Sequence, residues 1–173
     1  IGQSALTALN HADADYNVAV GSYAGYSLTS GKTNTAVGDS SLYACSTGDS
    51  NTAVGQDALK AACADNNTAI GKAALAAFTG SGATAVGSQA ADALTSATNT
   101  VAIGRDALGA TTDGHNNTAV GASSLNLADA GDNNVAVGYT ALANFTGSNA
   151  VAVGVGAADA ATSAARLTAI GKD

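Results

Sequence analysis

The sequence predicts an all-β chain, a parallel β-solenoid of about ten coils, each a roughly 16–17-residue unit. Three observations predict it. The phrase Asn-Thr-Ala-Val-Gly or a close variant recurs along the chain, ending at Gly2, Gly21, Gly38, Gly55, Gly71, Gly87, Gly104, Gly121, Gly138, Gly154 and Gly171, so the glycine returns at an almost constant step. Fixed-period self-similarity of this kind is the signature of stacked repeats. The residue before each glycine is Val or Ile, the one before that is Ala, and the one before that, where the chain reaches so far, is Thr or Val. β-branched residues at alternate positions form strands. Finally, the composition is turn-rich and helix-poor: Pro, Met, Trp and Glu are absent, and all 13 acidic residues are Asp. Asp and Asn bond to nearby backbone and tolerate left-handed conformations, which suits corners.

Each part of the coil follows from its column. The Thr/Val-Ala-Val/Ile segment is a short strand. The glycine turns the chain, supplying backbone angles denied to other residues or permitting close approach; Gly21, Gly38, Gly55, Gly71, Gly87, Gly104, Gly121, Gly138 and Gly154 are the structural turns. Three residues further on stands Ala, or Ser in Ser41 and Ser124, and a fourth residue that is Leu in Leu6, Leu42, Leu59, Leu75, Leu108, Leu125 and Leu142. This Leu column reads as a core ladder. A polar stretch rich in Asn, Asp, Ser, Thr and Gly then leads to the next strand. A coil this short cannot hold a strand plus a full helix, whereas two short strands and two corners fit it. Stacked at about 4.8 Å per coil, ten coils span roughly 50 Å.

The 173 residues therefore read as a single repeat segment, 1–173, and both ends fall inside the repeated phrase, as expected of a window cut from a longer protein. Charged residues make up 11% of the chain, with a net charge of −7. Six scattered cations do not make the basic stripe that phosphate backbones need, so no nucleic-acid partner is expected. No apolar run approaches the roughly 20 residues of a membrane span, and no membrane insertion by this segment is expected.

One pattern bears on assembly. The strand is apolar on both faces, with Ala on one and Thr/Val plus Val/Ile on the other. One face fills the coil. The stripe of Val37, Val54, Ile70, Val86, Ile103, Val120 and Val137 is then either core or an interchain surface, because soluble monomers rarely leave such a stripe bare. A symmetric homo-oligomer that hides it is the simplest solution. A longer period overlies the short one: Ala74 to Ser81 recurs four coils further on as Ala141 to Ser148, with one substitution.

The columns resemble a known family, the YadA-like head domain of trimeric autotransporter adhesins, built from repeats of the Asn-Ser-Val-Ala-Ile-Gly type. The matching stretches are Asn17-Val18-Ala19-Val20-Gly21, Asn67-Thr68-Ala69-Ile70-Gly71, Thr100-Val101-Ala102-Ile103-Gly104 and Asn134-Val135-Ala136-Val137-Gly138. The resemblance covers essentially the whole chain. It implies a left-handed parallel β-roll, three chains around one axis, a place at the cell surface and adhesive work on a host-surface or matrix protein or glycan. The coils carry longer return loops than that family's, and similar repeats occur in phage tail fibres and other extracellular filaments.

Candidates for chemistry are few. Cys45 and Cys63 fall in nearly the same place in adjacent coils, within disulfide reach, and are either bridged across coils or two free thiols. A bridge fits an oxidising compartment. His11 and His115 lie far apart in return stretches and read as solvated. Asp113, Asp129 and Asp132 lack the Gly-Gly-x-Gly-x-Asp signature of calcium β-rolls. No catalytic grouping, metal set or cofactor motif emerges, so no enzyme activity is expected. Asn66, Asn116 and Asn144 begin glycosylation sequons, and Tyr16, Tyr23, Tyr26 and Tyr43 cluster early in the chain, with Tyr139 apart. Tyrosines on outer loops either contact sugars or proteins or fill gaps between loops.

The leading functional expectation is a structural and adhesive extracellular rod that presents its loops for attachment. A phage or viral tail-fibre segment on a virion is the first alternative. An ice-binding solenoid is the second, since the Thr35-Val37, Thr52-Val54 and Thr118-Val120 pairs resemble flat threonine arrays.

Overall fold

The computed structural model describes residues 1–9, 15–127, 129–164 and 166–173. It contains ten strands of three residues: β1 (Val18–Val20), β2 (Thr35–Val37), β3 (Thr52–Val54), β4 (Thr68–Ile70), β5 (Thr84–Val86), β6 (Val101–Ile103), β7 (Thr118–Val120), β8 (Val135–Val137), β9 (Val151–Val153) and β10 (Thr168–Ile170). They form one parallel sheet in sequence order, β1 to β10. Register is strict: Ala53 lies beside Ala36 and Ala69, and Val54 beside Val37 and Ile70. The chain is a parallel β-solenoid, and the described residues contain no helix.

The period-two rule decides which side of the sheet is inside. The central alanines Ala36, Ala53, Ala69, Ala85, Ala102, Ala119, Ala136 and Ala152 are buried. Their flanking residues point outward. Opposite the alanines, the Leu column fills the coil: Leu42, Leu59, Leu75, Leu108, Leu125 and Leu142 are buried. Gly25 and Ala91 occupy the leucine position in their coils, and three residues later each coil supplies a buried Leu instead, Leu28 and Leu94. That later column also holds Cys45, Phe78 and Phe145, all buried.

The second limb is not the second strand expected from the coil length. Among the described residues only one strand per coil forms. After each glycine the chain passes through two residues of left-handed conformation separated by one ordinary residue, such as Ser40 and Leu42, Asp57 and Leu59, and Ala73 and Leu75, with φ between 48° and 58°. Each such residue costs about 1–2 kcal/mol in isolation. Stacking offsets the strain, because it points successive N–H groups at both neighbouring coils. The Asp57 N–H donates to Asp39 O of the preceding coil at 2.9 Å, and the Leu59 N–H donates to Ala74 O of the following coil at 2.9 Å. The limb is thus an in-register ladder of turns, which an extended strand is not.

The glycine column is required twice over. Gly55 has φ +134°, and a Cβ there would lie 2.5 Å from the carbonyl oxygen of Gly71 in the next coil. Backbone packs on backbone at this corner, so no side chain fits even if the angle were tolerated. Gly55→Val should therefore lower stability by at least about 1–3 kcal/mol from the angle alone, with the backbone collision added. Thermal unfolding followed by circular dichroism checks this, and an unchanged midpoint would count against both reasons.

Candidate functional site

The most distinctive surface is the outer face of the sheet. It carries two parallel columns, Thr or Val at the start of each strand and Val or Ile at its end. Val37, Val54, Val86, Val120 and Val137 are half-buried there, while Ile70 and Ile103 are each 40% exposed. Val18, Val20, Val151 and Val153 extend the same face and are also exposed. The structure thus places the Val/Ile stripe outside the coil and the alanines inside it. The threonine column beside it, Thr35, Thr52, Thr68, Thr84 and Thr118, is half-buried as well. With strands about 4.8 Å apart, the face is a narrow, regular strip roughly 43 Å tall. No ionisable side chain interrupts it, because every outward strand residue is Thr, Val or Ile.

Behind the face runs a polar ladder that column reading assigned only to turns. Asn34, Asn51, Asn67, Asn117 and Asn134, one residue before β2, β3, β4, β7 and β8, are fully or almost fully buried. The Asn51 N–H donates to Asn34 Oδ1 at 2.9 Å, and the Asn67 N–H donates to Asn51 Oδ1 at 2.9 Å. Each amide also donates to a carbonyl one coil on, as Asn51 Nδ2 does to Ala64 O at 2.8 Å. One side chain thereby satisfies buried backbone groups at two levels, and among the described residues no buried side-chain nitrogen or oxygen lacks a partner. The signal was the Asn of the repeated phrase itself, which recurs in phase with the buried columns.

Cys45 and Cys63 are joined by a disulfide with Cα atoms 5.0 Å apart. Cys45 occupies the buried column of Leu28, Phe78 and Phe145, so the bridge staples adjacent coils from within.

The acidic candidates are engaged in coil-to-coil bonds. Asp113 accepts from Ser96 Oγ at 2.8 Å and Thr95 Oγ1 at 3.0 Å, and these hydrogen bonds hold its carboxyl below the usual range. Asp129 accepts from Thr112 Oγ1 at 3.1 Å, and Asp132 from the His115 N–H at 2.9 Å. His115 in turn takes the Thr98 N–H at Nδ1, 3.2 Å away, so its ring lies in the stack. Among the described residues no three His, Cys, Asp or Glu side chains gather as a metal site. His11 lies outside the described residues. Asn66, Asn116 and Asn144 are exposed, and Asn116 Nδ2 donates to Asn133 Oδ1 at 3.3 Å. Tyr16 and Tyr139 project into solvent, whereas Tyr23, Tyr26 and Tyr43 come together on the turn limb.

Two substitutions test these supports. Asn51→Ala leaves the buried Asn67 N–H without its side-chain acceptor and the Ala64 carbonyl with only the longer bond from Asn67 Nδ2, 3.3 Å, and should cost about 1–3 kcal/mol, read as a fall in the denaturation midpoint. Replacing both Cys45 and Cys63 by Ala should cost about 2–4 kcal/mol, as expected for a closed loop of this size. Reducing agent should shift the native protein, but not the double variant, by a similar amount.

No protein-family model, curated protein or solved structure matches this chain.

Proposed function

We propose that this chain is a segment of a rigid extracellular rod that assembles as a homotrimer through its outer strand face and presents its turn limbs and return loops for attachment. The observation that carries the reading is the continuous Val/Ile and Thr/Val strip that stays partly open to solvent along a single chain. The seven stripe residues are already partly covered, so about half of the ~1.5–3 kcal/mol per fully buried side chain remains, about 5–10 kcal/mol per chain. Association costs are of the order of 4–15 kcal/mol, and the neighbouring Thr/Val column adds further apolar area. Three identical, in-register strips supply about 15–30 kcal/mol against about 8–30 kcal/mol for two association steps, a balance of the right size for a stable trimer.

The resemblance to YadA-like heads supports the same assembly and points to a left-handed roll at a cell surface. The Cys45–Cys63 bridge agrees with an oxidising compartment. A phage or viral fibre would use the same rod, and the two differ in what flanks the segment, an outer-membrane anchor or a virion attachment domain. In either setting the chain works by geometry and surface rather than by turnover.

A specific observation favours a second reading, ice binding. Thr35, Thr52, Thr68, Thr84 and Thr118 stand outward on one in-register parallel sheet and remain partly open in one chain. This requires the face to stay uncovered.

Light scattering separates the two. A trimer is expected at micromolar concentration, and Val86→Asp combined with Val120→Asp should release folded monomers, since both positions are outward and the circular dichroism spectrum should persist. A stable monomer of the unsubstituted chain would overturn the trimer, and thermal hysteresis from that monomer would establish the second reading.

A further inference from the structure

We propose that Tyr23, Tyr26 and Tyr43, with Ser40, Lys60 and Asp57, form a binding site for a neutral glycan on the turn limb. The proposal deepens the adhesive reading above and rests on it.

The three tyrosines occupy two columns of the limb. Tyr26, Tyr43 and Lys60 each lie five residues after their glycine in three successive coils, and Tyr23, Ser40 and Asp57 lie two after theirs. Elsewhere the first column is filled by Ala76, Asp92, Gly109, Asn126 and Ala143, and the second by Ser4, Ala73 and Ser123. The coil folds with small or polar residues at both places. The aromatic rings are therefore surplus to the fold, and all three stay partly exposed.

Stacking of coils arranges them. The Tyr26 and Tyr43 rings lie nearly parallel, with centroids 5.1 Å apart and planes at 7°. Tyr23 crosses both, at 66° to Tyr26 and 63° to Tyr43. A concavity of about 590 Å³ opens among Tyr23, Tyr26, Ser40, Tyr43 and Lys60. At its far end Lys60 Nζ meets Asp57 Oδ1 at 2.9 Å, and both side chains keep access to solvent. Ser40 Oγ donates to Asp39 Oδ2 at 3.2 Å, which places a second carboxylate beside the hydroxyl.

This combination matches the chemistry of a pyranose. The C–H face of the sugar packs on an aromatic ring, and its vicinal hydroxyls bond to a carboxylate, an ammonium group and a hydroxyl. Few, convergent polar groups beside aromatic walls are what small-ligand sites are made of. Charge narrows the class. Asp39 and Asp57 outweigh Lys60, so the site repels a carboxylated or sulfated sugar and accepts an uncharged one.

The whole chain carries no Trp and five Tyr, so tyrosine fluorescence reports occupancy. Titration with a glucose hexasaccharide, a galactose hexasaccharide and sialylated lactose should give a saturable change with one of the two neutral sugars and none with the sialylated one. Tyr43→Ala should weaken that binding at least about tenfold, or about 1.4 kcal/mol, and Lys60→Ala should weaken it severalfold. Both variants should keep the native circular dichroism spectrum and oligomeric mass, because Ala76 holds the same place as Tyr43 and Lys60 in its own coil. Absence of binding by both neutral sugars, preference for the sialylated one, or undiminished binding by Tyr43→Ala would each overturn the site. The oligomeric mass is read in the same samples, so loss of the glycan site and failure of the rod assembly give different results.

Discussion

Everything in this molecule depends on the near contact of one glycine with the backbone of the next. At Gly55 a side chain would meet the Gly71 carbonyl, and the same corner recurs in coil after coil. That contact sets the distance and register between coils. Once it is fixed, the strands pair Ala to Ala, the buried asparagines reach one level on, and the left-handed limb finds carbonyls for its N–H groups. None of these contacts exists within one coil. A single repeat has a strained limb, unsatisfied backbone and no core, so stability resides in the interfaces between repeats.

From Gly21 onward coil length is either 16 or 17 residues, and the difference does not disturb that register. The segments flanking each glycine are constant, and the difference falls in the return stretch. The coils that begin at Gly55, Gly71 and Gly138 are of the shorter kind, and the last two put a buried Phe, Phe78 or Phe145, at the corner. Gly80 and Gly147 follow those rings two residues later, and a Cβ at Gly80 would lie 2.8 Å from the Phe78 ring. In these two coils the shortened corner is thus filled by a large ring and lined by a residue with no side chain. The two cysteines stand 18 residues apart, one more than the step from Gly38 to Gly55, so they pair one position out of phase with the glycines.

What is repeated and chemically plain was legible in the columns. The strand, its apolar faces, the Leu ladder and the glycine corner are all visible as residue types that recur in phase. The left-handed limb was not visible. Leu59 and Ala73 have no local preference for positive φ, and only the backbone of adjacent coils makes that conformation favourable. The asparagine ladder was in plain view yet read as turn chemistry, since Asn suits both an exposed corner and a buried amide. Which of the two holds depends on a neighbouring coil. The tyrosine cluster shows the same limit from another side: Tyr26 and Tyr43 share a column, but only the coil spacing turns that coincidence into parallel rings.

The disulfide has a mechanical consequence. A stack held by nearest-neighbour interfaces comes apart from its ends, one layer at a time, like a zipper. Cys45 and Cys63 tie two adjacent layers covalently, so an opening front that reaches them cannot separate those layers and must stop or disrupt both together. Force or heat applied at one end is thereby confined to that end. The tyrosine patch on Tyr26, Tyr43 and Lys60 lies on the layers beginning at Gly21, Gly38 and Gly55, and the last two of these are the layers the bridge clamps. The tyrosine-rich part of the solenoid is also the part least free to peel.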